Sequence, residues 1–333
     1  MFINMKGFDN QFKDLPDFIL KITYQIWENN DVESIKKYYA DIPEVSLATP
    51  TRSPSGVIYG AEPVIEGTLA SKKLFPDRTL LGEDVIWIGN DEEGYFSSHR
   101  ILSTATHNQD GLYGKATGKK LVYRGIADCA CKNNQVYDEW LVRDQGAIVR
   151  QIGIDPKKFA YNLIMEEGGA DKAEQPFNNN TPIKSIYNPP SLSETNAGKT
   201  YSNILSSIMN GEKNVIEENY DRAIQQYQPG GFIKYGREEV LNFWSKLKSS
   251  FPNSEFKIEH ISFTENSNNP KKAAIRWSLS GKHSGAGIFG TPTEADVYVM
   301  GINHAEFGSR GIKNEWILFD ETMIWKQILM QTG

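Results

Sequence analysis

Two aspartates at equivalent places in the sequence have the residue type and setting for proton transfer. Asp144 ends the run YDEWLVRD and Asp320 ends the run NEWILFD. Both runs are apolar enough to predict buried strands, where desolvation raises the pKa of a carboxyl group and makes it a better acid or base at neutral pH. Three interpretations stay open for each aspartate: a catalytic group, a cap at the strand end, or a salt-bridge partner, which Arg143 could supply in the first run.

Two histidines accompany these aspartates. His107 and His283 end earlier strand-like runs, and the alternation of side chains along a strand places His283 on the face of Trp277. That face is apolar and is predicted to point inward, whereas Arg100 and Arg276 point to the opposite side. Each histidine is therefore either a pocket residue or a core histidine that a neighbour satisfies with a hydrogen bond.

The second half of the chain repeats the first at a constant separation of 176 positions. The repeated residues include catalytic candidates and turn residues: Tyr59 with Tyr235, Phe75 with Phe251, Arg100 with Arg276, His107 with His283, Trp140 with Trp316, Asp144 with Asp320, and Gln151 with Gln327. An offset held without net insertion over such a distance indicates an internal duplication. The retention of both aspartates and both histidines favours a role that the two copies share.

The same order of elements is predicted in both copies. In the first copy, apolar residues at helical spacing over 18–26 predict one helix, and Asp31 is a candidate cap of a second helix. In the second copy, residues 238–247 predict a third helix, which ends at a Phe-Pro pair. Strand-like runs then follow to the end of the sequence, at 255–263, 272–283, 294–303 and 314–328. Helices followed by a long antiparallel sheet form an α+β pattern.

The duplication predicts two domains, at 1–165 and 201–333. The segment 166–200 between them is rich in Gly, Asn, Pro and Ser and has no apolar period, so it is predicted to be a linker. A chain of 333 residues is also long enough for two cores.

Composition and charge argue against several classes of protein. Hydrophobic residues make up 39% and charged residues 23% of the chain, which are ordinary globular values. A net charge of -6 means that there is no excess of lysine and arginine to neutralise the phosphates of a nucleic acid. No segment of the sequence is apolar over the length needed to span a membrane. Without a signal peptide pattern at the start, the protein is expected to be cytoplasmic.

Metal and nucleotide sites are also not expected. The only cysteines, Cys129 and Cys131, are predicted to share one face of a strand as small buried residues, with poor geometry for a mutual disulfide. The glycine spacing at 285, 287 and 290 matches a dinucleotide loop, but a strand-like run follows it where a helix would be required. No metal and no organic cofactor is therefore expected.

Taken together, these residues resemble the SnoaL-like polyketide cyclases of the nuclear transport factor 2-like superfamily. The shared features are the opening helices, a Gly-x-Glu turn at 60–62 and 236–238, the Phe-Pro pair, a strand ending in histidine, and a Glu-Trp-x-x-x-Asp run before a final Gln. The resemblance covers about 15–155 and 200–330. It implies tandem cystatin-like cones, each with N-terminal helices packed on a curved antiparallel sheet around a pocket, and pairing of the two domains as an intramolecular pseudo-dimer.

The resemblance also implies a chemistry. In such cyclases an aspartate at the matching position is the general acid/base of an intramolecular aldol closure, so Asp144 and Asp320 are the expected catalytic residues. That His107 and His283 donate to the enolate oxygen is a separate hypothesis, which the resemblance does not imply. The expected substrate is a small hydrophobic carbonyl compound, cyclised or isomerised without a cofactor. The expected substrate-binding residues are Trp27, Tyr59, His99, Trp140, Tyr235, Trp277 and Trp316. The alternative is a non-catalytic ligand-binding or interaction module of the same fold, and a third possibility is one active and one degenerate domain.

Overall fold

Two six-stranded sheets with the same strand order form the framework of the protein. The structure is a computed structural model that describes residues 5–39, 48–190, 192, 195–212, 214–266 and 268–333. The first unit is defined here as the elements α1 (Leu15–Thr23), α2 (Ile35–Tyr38), β1 (Pro50–Ser53), β2 (Gly56–Tyr59), α3 (Ala61–Leu74), β3 (Thr79–Asn90), β4 (Gly94–Thr106), β5 (Lys120–Lys132), β6 (Gln135–Arg143), α4 (Gln145–Ile152) and α5 (Pro156–Glu166).

The second unit repeats this order. It consists of α6 (Ala197–Asn210), α7 (Val215–Asn219), β7 (Tyr220–Gln228), β8 (Phe232–Tyr235), α8 (Arg237–Ser250), β9 (Glu255–Thr264), β10 (Lys272–Lys282), β11 (Asp296–Gly308), β12 (Gly311–Phe319) and α9 (Glu321–Thr332). The sheets run β2-β1-β6-β5-β4-β3 and β8-β7-β12-β11-β10-β9, so corresponding strands have corresponding neighbours. The α+β class expected from the sequence is confirmed.

Each sheet is antiparallel except at one pairing. β1 runs parallel to β6, and β7 runs parallel to β12. This pairing places Thr51 beside Glu139 in the first unit, and the long meander β3 to β6 follows it across the sheet. The parallel contact arises because the chain crosses through α3 before it returns as the meander.

The opening helix shows why these elements form where they do. Asp14 caps α1 by accepting a hydrogen bond from the N–H of Asp17, and a proline occupies the first turn, where no donor is needed. Its buried face, which includes Phe18, Ile19 and Ile22, packs into a core with β4, β5 and β6 of the same unit. The apolar period read from the sequence is therefore the face that meets the sheet.

The last strand-like run of each copy is two elements. The prediction of a strand over 314–328 is wrong beyond Phe319, because β12 ends there and α9 begins at Glu321. β6 and α4 make the same change at residue 144. The aspartates at 144 and 320 occupy the junctions, where a side-chain oxygen can accept from the unpaired N–H groups of the first helical turn.

The two units contact each other through the outer faces of their sheets. The Arg100 guanidinium lies 3.6 Å from the ring centre of Trp316, and the Arg276 guanidinium lies 3.6 Å from the ring centre of Trp140. These four residues are two repeated pairs, so an arginine of each unit stacks on a tryptophan of the other. Around it lies an apolar cluster shared by both units, comprising Ile126, Trp140, Val142, Phe177, Met300, Ile302 and Leu318.

The connecting segment packs along this contact. The N–H of Phe177 donates to the carbonyl oxygen of Pro54, and the phenolic hydroxyl of Tyr187 lies 2.6 Å from Nδ1 of His260. Tyr187 also packs edge-on against Trp140 at 4.6 Å between ring centres. None of the helices in the described ranges combines the length and apolar character needed to cross a lipid bilayer.

Candidate functional site

A cavity of about 500 Å³ lies between the sheet and the helices of the first unit. This volume is in the range of small-molecule sites. Its floor is three rows of residues that pair across β4, β5 and β6: Cys129 with Glu139; His99 with Ala127 and Leu141; and Ile101 with Gly125 and Arg143. Helical residues such as Trp27 and Thr68 cover the floor, joined by a hydrogen bond of 3.1 Å from the indole N–H to the threonine hydroxyl.

Glu139 is the buried carboxylate of this floor. Its Oε2 accepts from the hydroxyl of Thr51 at 3.0 Å and its Oε1 from the hydroxyl of Tyr39 at 3.2 Å. Burial raises the pKa of Glu139 to about 7, and the two hydroxyl donors oppose that rise. The group therefore interconverts between acid and base near neutral pH, which general acid/base catalysis requires.

His99 lies in the middle row of the floor. Its side chain is buried, and its Nε2 has no hydrogen-bond partner among the described residues. Burial, and then the neighbouring Arg100, lower the pKa of His99 to about 4, so the imidazole is neutral at pH 7. An unpaired buried nitrogen in a cavity wall is a ready partner for a polar ligand atom.

The interior of the second unit is filled. Seven cavity-lining residues of the first unit have large apolar counterparts in the second: Gly67 and Phe243, Thr68 and Trp244, Ser71 and Leu247, His99 and Ile275, Ile101 and Trp277, Ser103 and Leu279, and Arg143 and Phe319. All seven counterparts belong to one buried core. The Trp277 indole lies against Gly301, where an added Cβ would come within 2.2 Å of the ring. The indole thus occupies space that is open above Gly125 in the first unit.

Glu315, the counterpart of Glu139, is enclosed by this core. Its Oε1 accepts from the hydroxyls of Tyr201 at 2.6 Å and Tyr220 at 2.8 Å, and its Oε2 accepts from the amide of Gln226 at 2.6 Å. Burial raises the pKa of Glu315, against these hydrogen bonds. The glutamate of each unit therefore accepts hydrogen bonds from protein groups, and only Glu139 also lines the cavity of about 500 Å³.

Asp144 lies at the contact between the units, outside the lining of the cavity. It caps α4 by accepting from the N–H of Ala147 at 2.9 Å, and it also accepts from the N–H groups of Gly230 at 2.9 Å and Gly231 at 3.1 Å of the second unit. Burial raises the pKa of Asp144 to about 6, although these donors favour the ionised form. The carboxylate is occupied by three backbone donors.

Asp320 caps α9 and borders the cavity of the first unit at its edge. Its Oδ1 accepts from the N–H and the hydroxyl of Thr322 at 2.9 and 2.7 Å. Burial raises the pKa of Asp320 to about 7, and the Thr322 donors oppose the rise. Asp144 and Asp320 are thus equivalent caps with different surroundings.

His107 and His283 lie beneath the turn that follows their strands. In each, Nδ1 is within 3.1 Å of a threonine hydroxyl, Thr117 or Thr293. Burial lowers the pKa of both histidines. Neither lines the cavity; His107 packs against Phe75 and Tyr113, and His283 packs against Phe251 and Phe289.

The predicted aromatic lining divides in the structure. Trp27 and His99 line the cavity. The others lie elsewhere: Trp140 and Trp316 at the contact between the units, Trp277 in the second core, Tyr235 65% exposed, and Tyr59 accepting from the N–H of Lys184. Trp140 and Trp316 occupy the outer face because they alternate with Glu139 and Glu315 along their strands.

Glu139 was missed as a site residue, although the sequence held a signal for it. It is repeated at Glu315 and shares its strand face with Leu141 and Arg143, the face opposite Trp140 and Asp144. Cys129 and Cys131 are free and buried, as expected. No cluster of metal-ligating side chains occurs in the part of the chain that the structure describes.

The comparisons with known proteins agree with the fold. The family model of the SnoaL-like polyketide cyclases matches residues 200–328. The first half of the chain, which this model does not match, has the same strand order as the matched half. No curated protein matches the sequence.

Solved structures similar to parts of the chain include IdmH from Streptomyces antibioticus, with 15% identity, 42% of this chain and 100% of that chain covered, and a TM-score of 0.36. A SnoaL-like polyketide cyclase from Agrobacterium tumefaciens has 14% identity, with 40% of this chain and 98% of that chain covered, and a TM-score of 0.33.

Proposed function

We propose that the first unit catalyses acid/base chemistry on a small hydrophobic carbonyl compound, without a cofactor, by aldol cyclisation or isomerisation. The observation that carries the proposal is the position of Glu139, a carboxyl group with a pKa of about 7 in the wall of a cavity of about 500 Å³. The family of the second half supports a cyclase-like reaction class.

The floor of the cavity supplies the parts for such a reaction. The ionised Glu139 removes a proton from the carbon next to the substrate carbonyl, and Tyr39 and Thr51 hold its oxygens in place. Nε2 of His99, in its protonated tautomer, donates to the enolate oxygen that forms. In isomerisation Glu139 returns the proton to another carbon. In aldol closure the enolate carbon bonds to a second carbonyl carbon, and the resulting alkoxide takes the proton from Glu139.

We infer that the second unit has a structural role in an intramolecular pseudo-dimer. The reciprocal Arg100–Trp316 and Arg276–Trp140 stacks support this arrangement. In the second unit, large side chains around Glu315 fill the space that corresponds to the cavity of the first unit, so we assign no catalysis to Asp320 and His283. The domain division at 165 and 201 remains part of this proposal.

Exchange of ketone α-protons with solvent tests the proposal directly. With α-tetralone in D₂O, proton NMR is expected to show protein-dependent exchange, which Glu139→Gln lowers about a hundred- to ten-thousand-fold. The rate should rise with pH through about 7 and then level, because the carboxylate is the active form and the pKa of Glu139 is about 7.

The matched control is Glu315→Gln, the same change in the filled unit. Its exchange rate should stay at the wild-type value per folded molecule, with the folded fraction measured by circular dichroism. Equal exchange by wild type and Glu139→Gln would remove the catalytic assignment. Binding of α-tetralone without exchange would favour the second candidate, a non-catalytic binding module, which Glu315 supports because it shows that this glutamate can be fully occupied by protein donors.

A further inference from the structure

One end of the cavity carries two arginines. Arg143 ends β6, and Arg78 precedes β3. Both line the cavity. Arg143 lies four residues from Glu139 on the same face of the strand, so their Cα atoms are about 13 Å apart. The cavity therefore has an acidic end and a cationic end.

Neither arginine has a carboxylate within 4.0 Å among the described residues. Arg78 donates to the hydroxyl of Ser71. Burial lowers the pKa of Arg78, Tyr123 and the charge of Glu28 oppose this change, and the charge of Arg143 adds to it. Asp320, which borders the same cavity, is engaged by its own helix. Two like charges thus share one end of the cavity without a carboxylate of the described residues in direct contact.

The fully buried arginines of the described chain are paired with carboxylates. Arg52 pairs with Asp138, Arg100 with Glu83, and Arg276 with Asp128. Such pairing is the rule because an unpaired buried charge is costly. The two cavity arginines are half-buried and have no carboxylate of the described chain in direct contact, so they are free to bind an anion in the cavity.

The cationic end exists only where the cavity exists. At the positions equivalent to Arg78 and Arg143 the second unit has Ser254 and Phe319. Phe319 is buried in the second core. The second unit therefore lacks both the two arginines and the equivalent space for a ligand. This joint absence indicates that the arginines serve ligand binding and are not required by the fold.

We infer that the cavity binds an oxo acid whose carboxylate contacts Arg78 and Arg143 while its acidic carbon lies against Glu139. The donors of a guanidinium group match the two oxygens of a carboxylate in geometry. The negative charge of a bound carboxylate also offsets the repulsion between the two guanidinium groups. The placement of the acidic carbon rests on the proposed function, whereas the anion site does not. The spacing of about 13 Å between Cα atoms favours an acid whose carboxylate is separated from the reacting carbon by an apolar chain or ring system.

Matched probes test this inference. 7-Oxo-7-phenylheptanoate and 7-oxo-7-phenylheptanamide have nearly the same shape and differ by one charge. Calorimetry at pH 7.5 and low salt is expected to show that the full-length protein binds the acid at least ten-fold more tightly. Arg143→Gln and Arg78→Gln should each abolish most of that preference and leave the affinity for the amide unchanged. Arg124→Gln is the control, because Arg124 pairs with Glu83 outside the cavity.

The outcomes separate this inference from the proposed function. Glu139→Gln should keep the preference for the acid even though it loses proton exchange. Equal affinity for the two probes, absence of binding by the acid, or a preference that survives in both arginine variants overturns the anion site. An arginine variant that weakens both probes equally shows a structural role and also overturns it. Loss of exchange activity alone bears only on Glu139.

Discussion

The two units have the same backbone plan and opposite interiors. In the first unit, Gly67, Thr68 and Ser71 on α3 leave space above the sheet; in the second, Phe243, Trp244 and Leu247 on α8 fill it. α3 and α8 have the same length and the same place in the topology. A ligand cavity in this fold is therefore decided by a few side chains on one helix and the facing strands.

The comparison also shows what repetition within a sequence signifies. The Arg–Trp pairs that both copies retain stabilise the contact between them, and the repeated aspartates cap equivalent helices. Several residues that line the cavity differ between the copies, including Ser71, Ile101 and Arg143. Repetition therefore marks structural positions here, and the cavity is found largely among positions that are not repeated.

The largest expected effect comes from placing a core residue of the second unit at the equivalent position of the first unit. Ile101→Trp places the second unit's indole above Gly125, as Trp277 lies against Gly301, and is expected to weaken binding of α-tetralone at least a hundred-fold by occupying the cavity. The folded state should tolerate it, since the indole enters existing space. Calorimetry measures the affinity for α-tetralone. If Ile101→Trp binds it as tightly as the wild type does, the cavity is not the binding site.

The reciprocal change, Trp277→Ile, serves as the matched control. It should leave binding unchanged and lower the free energy of unfolding by about 3 kcal/mol, because it opens a void in a filled core. Chemical denaturation gives that value. A loss below about 1 kcal/mol would mean that the second core is not tightly packed around Trp277.

The same substitution at the two caps should have unequal effects. Asp144→Asn is expected to cost about 1–3 kcal/mol at pH 7, because a single amide oxygen cannot replace the two carboxylate oxygens that accept from Ala147, Gly230 and Gly231. Asp320→Asn should cost under about 0.5 kcal/mol, since asparagine caps a helix nearly as well. Urea unfolding compares the two, and equal losses would contradict the assignment.

The pH dependence of stability sharpens this difference. The folded-state pKa of Asp320 is about 7, against about 3.9 for an unfolded aspartate, so the folded protein holds a proton that the unfolded chain releases. The stabilisation from this group is complete below about pH 4 and is lost as the pH rises through 7. We expect the stability of the wild type in urea unfolding to decline between about pH 4 and 7, and Asp320→Asn should reduce this decline; Asp144 and Glu139, whose pKa values are also raised, account for the part that persists.

The smallest expected effect concerns the contact between the units. Double-mutant cycles for Arg100 with Trp316 and for Arg276 with Trp140 should each give a coupling of about 0.5–2 kcal/mol. The two values should be similar because both stacks are 3.6 Å from guanidinium to ring centre. Single and double alanine variants, measured by urea unfolding, supply the cycles. A coupling energy near zero for one pair would show that only the other stack stabilises the contact.

The sequence predicted the duplication, the α+β class and the alternation of faces along the strands. It did not reveal the helices that begin at Gln145 and Glu321, because a short apolar run followed by an aspartate suits both a strand end and a helix cap. Trp140 was expected to bind substrate, yet it is buried against the second unit. Burial at a contact between units and burial in a core leave the same pattern in a sequence.

The asymmetry of the interiors was nevertheless readable. Pairs such as Ser71 with Leu247 and Ile101 with Trp277 are visible once the copies are aligned. The sequence alone does not show that these positions line the same cavity, so the size differences could not be interpreted from it. The cationic end of the cavity depends on Arg78 and Arg143, which lie 65 positions apart and meet only in the folded chain.

The reciprocal Arg–Trp stacks have a consequence for how the two interiors could diverge. In an assembly of two identical chains, every substitution in one interior appears in the other, and the pair separates on dilution. Here the connecting segment fixes the effective concentration of one unit near the other, so the contact does not depend on how much protein is present. A hollow unit consequently always meets a filled partner, and a mutation in one interior leaves the other interior unchanged.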